Sequence, residues 1–309
     1  MSTTASTMRM IGVADAAYYA PQIAAEQLGF FADEGIALEY DGGSDRAGLS
    51  VAMERGDFDV VLGGLWRPMR RLLDGRPMRV FGQVNEQCDL LLFARQPREL
   101  FDWSALEGGI FLHATGGAPS PWFALRHLLR IKGVSLERMR LIPQLPVDES
   151  LRMFREGYGE LLEIGDLDAG SALLDEGLHQ VACWREDIGR LPWSVYYATP
   201  ELVDARRPQL VALMRALHRA QRWLEGRPTG ELAELVQRHF PARPAAEVEA
   251  VVGAYRGQRV WSSSPRVDRG AAGRWSAILA AAGWLSRPVE PDELVDDEIA
   301  ALAVEGVGG

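Results

Sequence analysis

Residues 20–44 read APQIAAEQLGFFADEGIALEYDGGS, and residues 56–63 read GDFDVVLG. The first stretch predicts a helix that stops at Gly29, followed by a strand over 36–40 that ends at a glycine turn. The second predicts a buried strand over 60–62. Strands that alternate with helices at this spacing form parallel sheets, so the pattern indicates an α/β fold. The loops after the strands should then meet at one edge, where such sheets bind ligands.

The rest of the chain continues this alternation and then becomes helical. Further strands are predicted over 10–13, 79–84, 88–94, 109–113, 139–142, 160–164, 181–184 and 193–198. Helices are predicted from Ser44 to Gly56 and over 121–131, 148–156, 208–225, 230–240, 245–255 and 275–283. The run over 88–94 is largely apolar, which favours a strand that is buried on both faces.

Composition limits the class of protein. A chain of 309 residues suits two lobes better than one small domain. Its net charge is −10, and Lys132 is the single lysine among 33 basic residues. The absence of a basic cluster argues against nucleic-acid binding. Two cysteines, Cys88 and Cys183, do not make a disulfide framework.

The N-terminal residues MSTTASTM lack the basic region, apolar core and cleavage site of a signal peptide. No apolar run approaches the roughly 20 residues that span a bilayer, so no transmembrane segment is predicted. As written, the chain is expected in the cytoplasm. It would be periplasmic or at the cell surface if a leader had been removed.

Short signatures in the first 80 residues occur in a characteristic order. They are Gly29-Phe-Phe, Asp33-Glu34-Gly35, Gly42-Gly-Ser44, Gly56-Asp-Phe-Asp59 and Asp74-Gly75-Arg-Pro77. In this order they resemble the type 2 periplasmic binding proteins of the nitrate, taurine and aliphatic-sulfonate branch. That branch also contains the thiamine-pyrimidine binding and synthase proteins. The resemblance covers residues 9–225.

The resemblance implies a two-lobed clamshell. Each lobe would be a mainly parallel sheet flanked by helices, and two crossing strands, near 89–94 and 193–198, would join the lobes. Lobe one would comprise residues 1–92 and 196–309, the latter including the C-terminal helices, and lobe two residues 93–195. Ligands usually bind in the cleft between such lobes.

Candidate ligand-binding residues lie in the loops at the strand ends. They are Asp15, Tyr18, Tyr19, Ser44, Trp66, Arg67, His113, Thr115, Gly116 and Glu163. Because this set mixes aromatic rings, an arginine and carboxylates, it suits a small zwitterionic or heteroaromatic ligand better than a bare inorganic anion.

Several of these residues have two interpretations in lobe one. Tyr18 and Tyr19 could stack on a ligand ring, or one of them could pack into the lobe. Asp15 either contacts the ligand or caps the following helix. Ser44 follows a glycine turn whose N–H groups could bind an anion, although Asp45 would repel one, and a simple capped turn is the alternative.

The remaining candidates have similar alternatives. Arg67 could bind a carboxylate or sulfonate through two parallel hydrogen bonds, whereas Trp66 could lie either in the site or in the core. His113 could be a ligand donor, a general base or a structural residue. In the loop after it, which contains Thr115 and Gly116, the glycines would allow the backbone to approach a ligand closely. The acidic loop that contains Glu163 with 166–168 either receives a cationic group or is a solvated turn.

Motifs for catalysis are sparse. The sequence has no G-x-S-x-G, H-E-x-x-H or C-x-x-C pattern. The desulfinases of this fold carry a cysteine in the first loop, where this chain reads Asp15-Ala-Ala-Tyr18. Arg67 stands near the position of a histidine in the pyrimidine synthases, and their cysteine cluster has no counterpart.

The main hypothesis is therefore a solute-binding protein that captures a sulfonate-, pyrimidine- or amino-acid-like molecule, with no cofactor and no metal. An ABC permease would be its partner if it is exported. The alternative is a cytoplasmic enzyme of the decarboxylase, desulfinase or pyrimidine-synthase class, with His113 as the best catalytic candidate. A ligand-sensing partner protein is a third possibility, and the sequence leaves open whether turnover occurs.

Overall fold

A computed structural model describes residues 6–42, 52, 55–114, 119–143 and 145–306. Its strands are β1 (Ser6–Gly12), β2 (Ile36–Asp41), β3 (Val60–Gly64), β4 (Arg79–Asn85), β5 (Leu91–Ala94), β6 (Ile110–His113), β7 (Arg140–Pro143), β8 (Leu161–Ile164), β9 (His179–Cys183) and β10 (Ser194–Ala198). Its helices in the first 200 residues are α1 (Ala20–Gln27), α2 (Phe30–Asp33), α3 (Trp66–Leu73), α4 (Pro119–Lys132), α5 (Val147–Arg155), α6 (Gly170–Leu173) and α7 (Arg185–Ile188). The later helices are α8 (Pro200–Ala205), α9 (Arg207–Gly226), α10 (Thr229–His239), α11 (Ala245–Gln258), α12 (Arg269–Ala281), α13 (Pro291–Leu294) and α14 (Asp297–Glu305). The helix predicted from Ser44 to Gly56 lies largely outside the described residues.

The strands form two five-stranded sheets, with the orders β2-β1-β3-β10-β4 and β7-β6-β8-β5-β9. In the first sheet β1 is parallel to β2 and β3, whereas β10 is antiparallel to β3 and β4. In the second sheet β6 is parallel to β7 and β8, whereas β5 is antiparallel to β8 and β9. Each sheet is therefore mixed, with one antiparallel strand inserted among four that share a direction. The predicted two-lobed α/β fold is confirmed, and β5 and β10 are its two crossing strands.

The burial of β5 follows from its place in the second sheet. All four of its residues are at most 1% exposed, because strands flank both edges and side chains cover both faces. Leu91 and Phe93 belong to one apolar cluster, and Leu92 and Ala94 belong to the other. This is the alternation of a strand with a period of two residues. Unlike a half-exposed strand, β5 has no polar face, as its apolar sequence predicted.

The C-terminal helices contact both lobes. Helix α11 packs against α10 and also against α6 of the second lobe. A Cβ atom on Gly170 would lie 2.7 Å from the backbone oxygen of Glu247, so this close approach requires glycine. The segment that follows the first-lobe strands therefore also supports the second lobe. No helix within the described ranges is long and apolar enough to span a bilayer.

Candidate functional site

A cavity of about 620 Å³ lies between the two lobes. It is bordered by the segments that follow the carboxyl ends of β1, β3, β6 and β8. The two crossings between the sheets, the loop after α10 and Val147 at the start of α5 also contribute to its wall. This is the edge at which parallel strands expose their following loops, and the volume is in the range of small-molecule sites.

Four of the predicted residues line this cavity: Asp15, Tyr18, Trp66 and Arg67. They come from the loops after β1 and β3, which the parallel pairing of these strands brings side by side. Ser44, Thr115 and Gly116 lie outside the described residues. Tyr19, His113 and Glu163 are not among the side chains that line the cavity.

Tyr19 is turned into the first lobe. Its side chain is 1% exposed, and its hydroxyl donates to Ser194 Oγ at 3.4 Å. Tyr18 and Tyr19 belong to a single turn of 3₁₀ helix, so consecutive side chains leave it in different directions. Tyr18 consequently faces the cavity while its neighbour packs in the core.

His113 and Glu163 form a buried pair within the second lobe. They are register partners on β6 and β8, and His113 Nδ1 lies 2.9 Å from Glu163 Oε2. Their side chains are 2% and 0% exposed. Burial raises the pKa of Glu163, and the nearby His113 opposes that rise. The structure thus places His113, the candidate base, behind the cavity wall, where its neighbour Ala114 is the residue that lines the cavity.

Trp66 and Arg67 are held at the first turn of α3. The Arg67 guanidinium carbon lies 4.7 Å from the centroid of the Trp66 ring, within the range of a cation–π contact. A Cβ atom on Gly64 would lie 2.7 Å from the Trp66 ring, so the indole can lie across the strand end only because this residue is glycine. Trp66 therefore combines a cavity-lining position with packing against Trp284, at a centroid distance of 5.6 Å.

Two carboxylates of the cavity wall are paired with basic side chains, those of His239 and Arg243. Asp15 Oδ1 lies 2.8 Å from His239 Nε2, and this contact raises the pKa of His239. Asp15 therefore bonds to the end of α10 rather than capping the helix that follows it. Asp168 accepts a hydrogen bond of 2.7 Å from Arg243.

Two further carboxylates also line the cavity, those of the buried Asp89 and the half-buried Asp166. Asp89 precedes β5 and is 8% exposed. The Tyr255 hydroxyl lies between them, donating to Asp89 Oδ2 at 3.5 Å and accepting from the Asp166 N–H. The Tyr18 N–H donates to Asp166 Oδ1 at 3.2 Å. Within the described part of the chain, neither carboxylate has a salt bridge to arginine, lysine or histidine.

Burial perturbs both of these groups. Desolvation raises the pKa of Asp89 from its usual 3.8 to about 6, against hydrogen bonds that lower it. Desolvation, and then the nearby Asp89 charge, raises the pKa of Asp166 from 3.8 to about 7. Such shifts mark carboxylates whose charge is poorly solvated, and they cluster at functional sites.

The sequence analysis missed Asp89 and the contributions of Trp193, Phe240 and Arg243. The available signal for Asp89 was a lone acid at the start of an otherwise apolar crossing strand. Phe240 and Arg243 carried no local signal, because only the return of the C-terminal segment brings them to the cavity.

The cysteines lie off the cavity wall. Cys88 and Cys183 are both buried, and burial raises the pKa of each thiol. Neither is among the described residues that line the cavity. Because the thiolate is the reactive form, these positions do not favour nucleophilic chemistry.

Comparison with known proteins extends this description. A family model described as NMT1/THI5 like matches residues 16–230. The chain is 24% identical over 303 residues to "Putative binding protein YtlA" of Bacillus subtilis (strain 168), covering 96% of this chain and 90% of that protein.

Two solved structures are similar over nearly the whole chain. The alkanesulfonate-binding protein SsuA from Xanthomonas axonopodis pv. citri, bound to MOPS, aligns with a TM-score of 0.72 at 16% identity, covering 96% of this chain and 99% of SsuA. The periplasmic nitrate-binding protein NrtA from Synechocystis PCC 6803 aligns with a TM-score of 0.73 at 15% identity, covering 98% of this chain and 89% of NrtA. At these identities the likeness shows the fold, and the family model, which matches more than half of the chain, confirms the resemblance identified from the sequence.

Proposed function

The chain belongs to the NMT1/THI5-like family, and from that premise we propose that it is a solute-binding protein that captures a small organic molecule between its lobes. The observation that carries this proposal is the cavity of about 620 Å³, whose wall takes residues from both sheets and from the C-terminal segment. A ligand there would touch both lobes at once, so lobe closure would bury it.

The chemistry of the wall supports an organic ligand. Tyr18, Trp66, Trp193 and Phe240 offer aromatic surface, and Arg67 offers a guanidinium for a carboxylate or sulfonate. The relatives bind small solutes according to their names: alkanesulfonate for SsuA and nitrate for NrtA. We extend the proposal to a sulfonate-, pyrimidine- or amino-acid-like solute and to delivery to an ABC permease.

Binding is favoured over catalysis by the placement of the reactive groups. His113 is buried against Glu163, and both thiols are buried with raised pKa values. Among the described residues that line the cavity there is neither a cysteine nor a histidine.

A thermal-shift screen tests the proposal. Sulfonates, pyrimidines and amino acids should be compared with glucose as an unrelated control. A ligand at about 100 times its Kd should stabilise the folded protein by about 2.7 kcal/mol through mass action and raise its Tm. A compound that raises the Tm should be recovered chemically unchanged after incubation. If no compound of the three classes at millimolar concentration moves the Tm, the proposal is wrong, and conversion of the compound would favour the enzyme instead.

Arg67→Ala is expected to weaken binding of an anionic ligand more than tenfold, a loss of about 1.4 kcal/mol or more, because a buried bidentate contact would be lost. Isothermal titration calorimetry measures the change. Arg138→Ala is the matched control, since Arg138 is 71% exposed and pairs with Glu107 away from the cavity. Equal affinities for Arg67→Ala and the unsubstituted protein would remove Arg67 from the binding site.

A further inference from the structure

We infer that the captured solute carries a protonated nitrogen, of the primary-ammonium type, which binds to the carboxylates of Asp89 and Asp166 in the cavity wall. This inference rests on the proposed function, because it names a chemical group of the molecule that the cavity captures. It adds a chemical group of the ligand that the names of the relatives do not mention.

The position of the two carboxylates is the first argument. Asp89 stands where the chain enters β5, and Asp166 stands in the turn after β8, which is paired with β5. Both contribute to the wall of the same cavity, and the Tyr255 hydroxyl donates to the Asp89 carboxylate while it accepts from the backbone N–H of Asp166. A Cβ atom on Gly165, the residue before Asp166, would lie 3.1 Å from Asp89 Oδ2. A nitrogen with several N–H donors could therefore reach both side chains from one position.

Hydrogen-bonding capacity is the second argument. The described hydrogen-bond donor to the Asp89 carboxylate is the Tyr255 hydroxyl. The described donor to the Asp166 carboxylate is the backbone N–H of Tyr18. Both of these donors are neutral, and a carboxylate has about four acceptor positions. Each side chain can thus accept further hydrogen bonds from a ligand.

Charge is the third argument. The other two acids of the wall, Asp15 and Asp168, are paired with His239 and Arg243, whereas Asp89 and Asp166 have no cationic partner in the described part of the chain. Burying an ionised carboxylate without a counter-charge is unfavourable. A ligand cation would supply that counter-charge, so binding would remove this unfavourable contribution to the free energy.

The surroundings suit the same group. Tyr18 and Trp193 flank the carboxylates in the cavity wall, and Tyr18 donates its backbone N–H to Asp166. Aromatic faces attract ammonium groups, most strongly where water is excluded. This aromatic lining distinguishes the position from a solvated acidic turn.

Matched pairs of compounds test the inference. Each pair replaces an ammonium group by a hydroxyl: taurine and isethionate, glycine and glycolate, benzylamine and benzyl alcohol. At least one ammonium compound should bind at least tenfold more tightly than its hydroxyl partner, as measured by calorimetry at about pH 8, where both carboxylates are ionised. Equal affinities within every pair would overturn the inference and leave the proposed function standing. If neither member of any pair binds, and the sulfonate and pyrimidine screen is also negative, both are overturned.

Variants locate the contact. Asp89→Asn and Asp166→Asn should each reduce the preference for the ammonium compound over its hydroxyl partner by at least tenfold. Asp175→Asn is the matched control, because it removes the same charge from another acid. Asp175 lies on the second lobe and pairs with Arg155. The preference should survive in that control. A preference that persists unchanged in both Asp89→Asn and Asp166→Asn would show that the nitrogen binds elsewhere and overturn the inference.

Discussion

The double variant Asp89→Asn, Asp166→Asn is expected to be more stable than the unsubstituted, ligand-free protein at about pH 8, by a few kcal/mol. Folding raises the pKa of Asp89 to about 6 and that of Asp166 to about 7. The folded state therefore holds protons that the unfolded chain has already released. The stabilisation from these groups is complete below about pH 4 and is lost as the pH rises through about 6 and about 7. Asparagine carries no charge, so the variant avoids the loss.

The neighbours of these two carboxylates do not offset the loss of stability at high pH. The titratable groups that face them are Tyr18, Cys88, Glu163, Asp168 and Tyr255. None of these groups is cationic. Repulsion and desolvation therefore both raise the two pKa values, and at high pH both destabilise the folded state.

Thermal unfolding at several pH values measures this effect. The gain in Tm of the double variant should be largest at about pH 8 and should disappear below about pH 4, where the carboxylates are protonated in both the folded and the unfolded state. Asp175→Asn should show no such gain, because Arg155 lowers the pKa of Asp175 and the ion pair is lost. A double variant that is less stable at every pH would show that the two carboxylates stabilise the fold, contrary to this account.

Leu92→Ala is expected to lower the free energy of unfolding by about 2–5 kcal/mol. Leu92 is 1% exposed in β5, the crossing strand that has neighbours on both edges and side chains over both faces. Because these neighbours belong to two paired strands, they cannot easily collapse into the space that the lost side chain leaves. The substitution therefore removes apolar burial and also leaves a cavity.

Urea denaturation gives the magnitude, and Leu100→Ala provides a control with the same chemical change. Leu100 is 90% exposed, so its removal should alter the stability by no more than about 0.5 kcal/mol. If Leu92→Ala and Leu100→Ala destabilised the protein equally, the interior position of β5 in the second sheet would be wrong.

The sequence was sufficient for the architecture because its signals are local. Gly29 separates α1 from α2, Gly42 follows the end of β2, and the apolar run over 60–62 lies in β3, as its pattern predicted. The same patterns placed β10 and α9 within a few residues of their observed bounds. The predicted strand ends also identified residues of the first lobe that line the cavity, including Tyr18 and Arg67.

Other parts of the cavity could not be derived in this way. Tyr18 and Tyr19 are adjacent and chemically identical, and only the turn that contains them decides which one faces the cavity. His113 and Glu163 are 50 residues apart, and the pairing of β6 with β8 joins them to each other instead of to a ligand. Each outcome depends on the direction of a side chain in the folded protein.

The sequence by itself determined that this protein is an α/β chain with loops gathered at the carboxyl ends of its strands, because hydrophobic period, glycine turns and strand–helix order are properties of neighbouring residues. Its two lobes were expected from its length and from the family resemblance. Only the tertiary structure decided that Asp89 and Asp166 share a cavity with Tyr18, and that Tyr255 from α11 lies between them. The physical reason is that charge and solvation depend on distances across the fold. Those distances are set by strand crossing and by the return of the C-terminal helices.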